Sequence, residues 1–207
     1  MKKFNTLILI LAISSGCSQE NPSDKYAESI DSNDLKDLLS IYSSDDFEGR
    51  QTGQKGDRIA ANFLRDFYIA NQIEPAQNTI DYFQPYQLNL PGEMYTFNYS
   101  FPETLRGYDR YAEGENFVDT QNVASVIKGE IYPESYIIIT GHLDHVGING
   151  DEVYNGADDN GSGTVSILEI AQAFQKAVED GIRPKRSIVF LHVSGEEEGL
   201  LGSEYYV

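Results

Sequence analysis

The run "SGTVSILEIAQAFQKAVEDG" (Ser162 to Gly181) decides the fold, because it reads as a helix with a strand on either side. Val165, Leu168, Ala171 and Ala173 mark one helical face, and Gly181 supplies a C-terminal stop. Before it, "SYIIIT" (135–140) is apolar, and after it "SIVFLHV" (187–193) is apolar as well. A strand–helix–strand unit of this kind joins two parallel strands by a right-handed crossover, in a sheet buried on both faces. The expected class is therefore α/β. Open α/β sheets place their sites beyond the carboxyl ends of the strands. The residues that follow each strand are the candidates.

"GHLDHVG" follows the first strand with His142, Asp144 and His145; "NGADDNGSG" precedes the helix with Asp158 and Asp159; "SGEEEG" follows the last strand with Glu196, Glu197 and Glu198. Crowded carboxylates repel, and a bound cation offsets that repulsion. Imidazole and carboxylate donors without thiolate suit zinc, manganese or cobalt, and paired acids suit two bridged ions. Each cluster has a plainer reading. The glutamates alone fit a solvated loop, and the aspartates fit a helix start stabilised by its dipole. His145 reads as a loop residue and His192 as a histidine of the core. "DDNGSGTVSILE" (158–169) also fits an EF-hand calcium loop with Glu169 as its last ligand. Against that reading, no helix enters the loop, and Glu169 falls inside the long helix.

The remaining sequence bounds the class of function. The chain has 207 residues, with 15 Lys plus Arg against 33 Asp plus Glu and a net charge of -18. Binding to nucleic acid or to anionic lipid through net charge is excluded. "MKK" followed by "FNTLILILAISSG" reads as an export signal, and Cys17 after Gly16 resembles a bacterial lipoprotein cleavage site. Ser14 departs from that pattern, which prefers an aliphatic residue there. The expected division is a lipoprotein-type signal peptide over 1–16, a polar tether over 17–32 and a folded domain over 33–207. The chain is thus expected to be exported to the cell envelope, with lipid on Cys17 as its sole membrane contact. "NDLKDLLSIYSS" reads as a short helix capped by Asn33 or Asp34, and "GDRIAANFLRDFYIANQI" as an amphipathic helix. "IDYFQPYQLNL" alternates, and Pro85 makes it an edge strand or a break.

"GHLDHVG", "NGADDNGSG" and "RSIVFLHVSGEEEGLLGSEYYV" resemble the successive motifs of the M28 family of zinc-dependent aminopeptidases and related exopeptidases. "FEGRQTGQKGDRIAANFL" resembles the leading segment of that family. The resemblance implies a three-layer α/β sandwich with a mostly parallel mixed sheet flanked by helices. It implies two zinc ions, with His142, Asp159 and Glu197 as ligands, Glu196 as general base and Asp144 orienting His142. Asp158 then supports Asp159, and Glu198 is a bystander. A one-residue slip would move the glutamate roles to Glu197 and Glu198. The substrate implied is a peptide with a free N-terminus. The family has two further ligands, an aspartate and a histidine, downstream of the glutamate pair. The implied reading is an N-terminal portion of such a peptidase, inactive alone. The rival reading is a non-catalytic surface lipoprotein that binds calcium or a partner.

Overall fold

The computed structural model describes residues 21–89, 96–97 and 117–207. The export signal, Cys17 and most of the alternating piece "YTFNYSF" (95–101) lie outside the described residues. In chain order the helices are α1 (Pro22–Ala27), α2 (Ser32–Tyr42), α3 (Lys55–Ala70), α4 (Ser162–Glu179) and α5 (Leu201–Tyr206), with a 3-10 segment at Asp45–Arg50. The strands are β1 (Glu74–Pro75), β2 (Phe83–Asn89), β3 (Thr96–Phe97), β4 (Phe117–Ile127), β5 (Tyr132–His142), β6 (Ile148–Asn149), β7 (Glu152–Val153) and β8 (Arg186–Val193).

The expected crossover is present: β5, α4 and β8 form a strand–helix–strand unit whose strands are parallel, from Tyr132 opposite Arg186 to His142 opposite Val193. The sheet runs β3-β2-β4-β8-β5, with β1 attached to β4. It is mixed and flanked by helices. Among the described residues the other pairings of this sheet are antiparallel. β4 and β5 are consecutive in sequence, but β8 is inserted between them. β2 accepts Pro85 because over most of its length it pairs with β4 alone.

Alternation along β4 and β8 builds a core on each face. Val123, Ile127, Ile188 and Phe190 pack with residues of α3 and α4, including Leu64, Tyr68, Val165 and Leu168. The intervening Ala124, Val126, Val189, Leu191 and Val193 form the opposite core, with Tyr206 of α5 packed on it. β8 is buried from Ser187 onward, as its apolar run requires. β5 differs: Tyr136, Ile137 and Ile138 are 45%, 50% and 47% exposed, because β5 is the outermost strand among the described residues.

Two local boundaries also depart from expectation. The α2 cap is Asp31, whose carboxylate accepts the Asn33 N–H at 2.7 Å, two residues before the expected cap. Within the span read as a tether, residues 22–27 form α1. Asn21 caps it, Pro22 fits its first turn, and the buried Tyr26 donates its hydroxyl to Asp180 at 2.9 Å. The buried ring, its hydrogen bond and the Lys25–Asp180 ion pair dock this short segment at the end of α4.

His192 is buried in the core, with Nε2 paired to the Tyr68 hydroxyl at 2.7 Å. Its Nδ1 has no hydrogen-bond partner among the described residues. Burial pushes its pKa down from 6.5 to about 3. An unfolded chain therefore takes up this proton first as pH falls. The stability that neutral His192 contributes is complete above pH 6.5 and is lost progressively as pH falls toward about 3. In His192→Gln the slope of unfolding free energy against pH within this window should fall by about 1.4 kcal/mol per pH unit. Urea titrations at a series of pH values measure that slope; an unchanged slope would show that His192 is not buried neutral.

Candidate metal centre

β5 and β8 end together, and the Leu143 N–H extends their pairing by donating to the Val193 carbonyl at 2.8 Å. The loops after both strands therefore leave the sheet at the same edge. The segment before α4 reaches that edge too, where the Thr164 hydroxyl donates to the His142 carbonyl at 2.8 Å. The three acidic and imidazole-bearing segments of the sequence converge there.

Asp144 is fully buried and ties two of these loops together. Its Oδ1 accepts the Glu196 N–H at 3.2 Å, and its Oδ2 accepts the Glu197 N–H at 3.3 Å and the Thr52 hydroxyl at 2.8 Å. His142 Nδ1 lies 3.1 Å from the Asp144 carbonyl oxygen and 3.7 Å from its Oδ1. That side of the ring is thus held, and Nε2 faces Asp159 Oδ1 at 3.0 Å and Glu196 Oε2 at 3.8 Å. A carboxylate behind a histidine, fixing its orientation, is the usual arrangement for a ligating imidazole. Burial alone would lower the pKa of His142, but Asp144 and Glu196 outweigh it and raise the value to about 9. A cation binding at Nε2 must displace that proton.

His142, Glu196 and Glu197 place donor atoms within 4.8 Å of one another, and His145, Asp159 and Glu197 do the same. The donors are imidazoles and carboxylates without thiolate, which fits a zinc-type divalent cation. Asp158 and Glu198 belong to neither group. His145, in the loop after β5, belongs to the second group, and its Nδ1 is 2.8 Å from Glu197 Oε1. Glu169 does not reach the site. It lies within α4, 3% exposed, and burial followed by the nearby Asp34 raises its pKa. The calcium-loop reading of residues 158–169 therefore lacks its final ligand.

The residues that back this edge carry no motif in the sequence. Arg50 is fully buried and donates to four backbone carbonyls: Leu143 at 2.9 Å, Tyr42 at 3.1 Å, Asn155 at 2.7 Å and Gly156 at 2.9 Å. Burial disfavours its charge, while Tyr42, Asp144, Asp159 and Glu197 favour it. Asp57 of α3 accepts the Ser194 hydroxyl at 2.9 Å, the Thr120 hydroxyl at 2.7 Å and the Gly53 N–H at 3.0 Å. Burial raises its pKa to about 7 despite those bonds. Gly49 is required where its segment meets the β5 loop: its φ is 64°, and a Cβ there would lie 2.3 Å from the Gly147 carbonyl oxygen.

The mixed sheet flanked by helices matches the fold of aminopeptidases of known structure. An aminopeptidase from Aneurinibacillus sp. strain AM-1 superposes with a TM-score of 0.62 at 15% identity, covering 89% of this chain and 67% of that one. A zinc aminopeptidase from Bacillus subtilis superposes with a TM-score of 0.58 at 14% identity, covering 86% and 64%. Residues 122–207 match the family model of Peptidase family M28. A probable glutamate carboxypeptidase of Zea mays is 33% identical over 97 residues, which are 47% of this chain and 13% of the relative. A probable aminopeptidase of Saccharomyces cerevisiae is 39% identical over 80 residues, 37% of this chain and 21% of the relative.

Removing the guanidinium in Arg50→Met orphans four buried carbonyls, each worth ~1–3 kcal/mol when unsatisfied. The expected loss of stability is at least about 3 kcal/mol. Thr52→Val removes one donor from a buried carboxylate and should cost less, about 1.5–3 kcal/mol. Urea denaturation ranks the two variants, and the reverse order would show that Arg50 is not the main tie.

Proposed function

We propose that this chain carries the metal-binding core of an exopeptidase of the aminopeptidase type, in which His142, Asp159 and Glu197 ligate zinc and Glu196 is the general base. The convergence of His142 Nε2 on Asp159 Oδ1 at 3.0 Å and on Glu196 Oε2 at 3.8 Å supports this reading most directly. Two zinc ions held there would supply Lewis-acid polarisation of the scissile carbonyl and a water acidic enough to attack at neutral pH. Asp144 holds His142 from behind and fixes the glutamate loop through its two N–H bonds. The Glu196 side chain is 34% exposed, so water and substrate can reach its carboxylate. Glu196 accepts the proton of the attacking water and returns it to the leaving amine. The substrate proposed is a peptide with a free amino terminus, as expected of this family. Export and lipid attachment through Cys17 remain part of the proposal and rest on residues 1–17 of the sequence alone.

Glu196→Gln should lower turnover of an unblocked peptide by ~10²–10⁴-fold, the usual contribution of a general base, with metal content unchanged. A chelator should abolish the parent activity, and an N-acetylated peptide should not be cleaved. Full turnover by Glu196→Gln would remove Glu196 from the role of base. Cleavage of the acetylated peptide would make the enzyme an endopeptidase.

A further inference from the structure

Between Tyr26 and Tyr42 the chain climbs α4 from one end to the other. We propose that the end of the sheet opposite the metal edge is a bilayer-facing surface. It rests against anionic phospholipid headgroups, as a second membrane contact beside the anchor, and points the metal edge away from the membrane. The inference rests on the lipid attachment of Cys17 and not on the chemistry of the metal centre.

The first observation is the path of the chain. The Tyr26 hydroxyl and the Lys25 ammonium both bond Asp180, which caps the C-terminal end of α4. Asp34 of α2 acts on Glu169, in the middle of α4. Tyr42, at the end of α2, donates its hydroxyl to the Leu143 carbonyl beside the metal edge at 3.0 Å. α4 begins at that edge, and its 18 residues span ~27 Å at about 1.5 Å per residue. α1 is therefore docked at the end away from the metal centre. Only four peptide links separate Asn21, the α1 cap, from Cys17, a reach of at most ~14 Å. A lipid on Cys17 thus holds this end of the molecule close to the bilayer and keeps the other end off it.

The second observation is what that end presents. Segments 128–134 and 181–186 meet there. Ile131 and Tyr132 donate their N–H groups to the Lys185 carbonyl at 3.2 Å and 2.8 Å, and Arg183 donates to the Lys128 carbonyl at 3.4 Å. Lys128, Arg183, Lys185 and Arg186 are exposed, with Glu130 and Glu134 on the same segments and Glu74 and Glu179 beside them. None of the four bases enters an ion pair among the described residues, whereas Lys25, Lys55 and Arg65 are all paired. Ile131, Tyr132 and Ile182 are about half exposed alongside them, and the Arg186 guanidinium lies 5.5 Å from the centroid of the Tyr132 ring. Bases with long apolar stems, a tyrosine and aliphatic side chains are the composition that suits a headgroup layer. Each Lys or Arg beside an anionic leaflet adds attraction, and the apolar side chains enter the interface. The rest of a chain of net charge -18 is repelled by the same surface, so charge and anchor favour one orientation.

The chain contains no tryptophan, so one placed by substitution reports alone. Ile182→Trp marks the bilayer-facing end. Asp151→Trp, in the exposed turn between β6 and β7, marks the side of the metal edge. The lipidated chain is reconstituted in vesicles of brominated phosphatidylcholine and phosphatidylglycerol, and flotation establishes attachment. Bromine should quench Ile182→Trp by at least about half and Asp151→Trp by less than about a tenth. Lys185→Glu with Arg186→Glu, added to Ile182→Trp, should cut that quenching at least about twofold with flotation unchanged. Asp151→Trp quenched as strongly as Ile182→Trp, or neither quenched on a chain that floats, would overturn the proposal and leave lipid attachment standing. Quenching of Ile182→Trp that survives the two charge reversals would show that the bases make no headgroup contact, and would overturn it as well. A chain that carries no lipid on Cys17 by mass spectrometry and does not float would overturn the lipid attachment and this proposal together.

Discussion

A single buried guanidinium organises the functional edge of this molecule. Arg50 has no salt-bridge partner among the described residues and instead gives its hydrogen bonds to carbonyls of Tyr42, Leu143, Asn155 and Gly156. Those carbonyls belong to the end of α2, the loop after β5 and the segment before α4. A planar fork with several donors can join three such segments at fixed angles, and an ammonium cannot. The guanidinium also lies against the Tyr42 ring, 4.7 Å from its centroid. The carbonyl of Leu143 lies between His142 and Asp144, and that of Gly156 precedes the two aspartates. The positions of the first two donor-bearing segments are therefore coupled through one side chain.

The third segment is coupled by carboxylates. Asp144 takes the N–H groups of Glu196 and Glu197, and Asp57 takes the Ser194 hydroxyl just ahead of them. Thr120 donates to Asp57, and Thr52 donates to Asp144. α3, β4 and the segment between Arg50 and α3 thus form a polar wall behind the site. A buried carboxylate is tolerated only with several donors, and the hydroxyls and N–H groups of this wall supply them. The imidazole and carboxylate side chains of the two donor groups stand ahead of this wall.

Much of this was legible in the sequence. α4 announced itself by its period, β5 and β8 by their apolar runs, and the crossover rule then placed His142, Asp159, Glu196 and Glu197 at one edge. The wall was not legible. Arg50 and Thr52 sit in "GRQTGQK", which has no apolar period, and Asp57 reads only as a polar residue at the start of the amphipathic helix. Their roles depend on contacts 92 to 137 residues away in the chain, which leave no local pattern. His145 was missed for a related reason. It lies in the loop after β5, where no helix or strand period applies, and the Arg50 and Gln51 contacts hold its backbone beside Glu197. α1 was hidden because its docking rests chiefly on one aromatic residue in a polar stretch.

β5 shows how such a site keeps its geometry on an exposed strand. The run "YIII" demands burial, yet three of its residues are about half exposed. The strand's hold on the molecule comes from one side: the parallel ladder to β8, extended by the Leu143–Val193 hydrogen bond, and the Thr164 bond to the carbonyl of His142 itself. The ladder fixes how far His142 projects beyond the sheet. Arg50 and Asp144 fix which way it turns once there. The outer face of β5 is free to vary without moving the ligand, because nothing that orients His142 passes through that face. The placement of His142 therefore depends on β8 and the polar wall rather than on the strand that carries it.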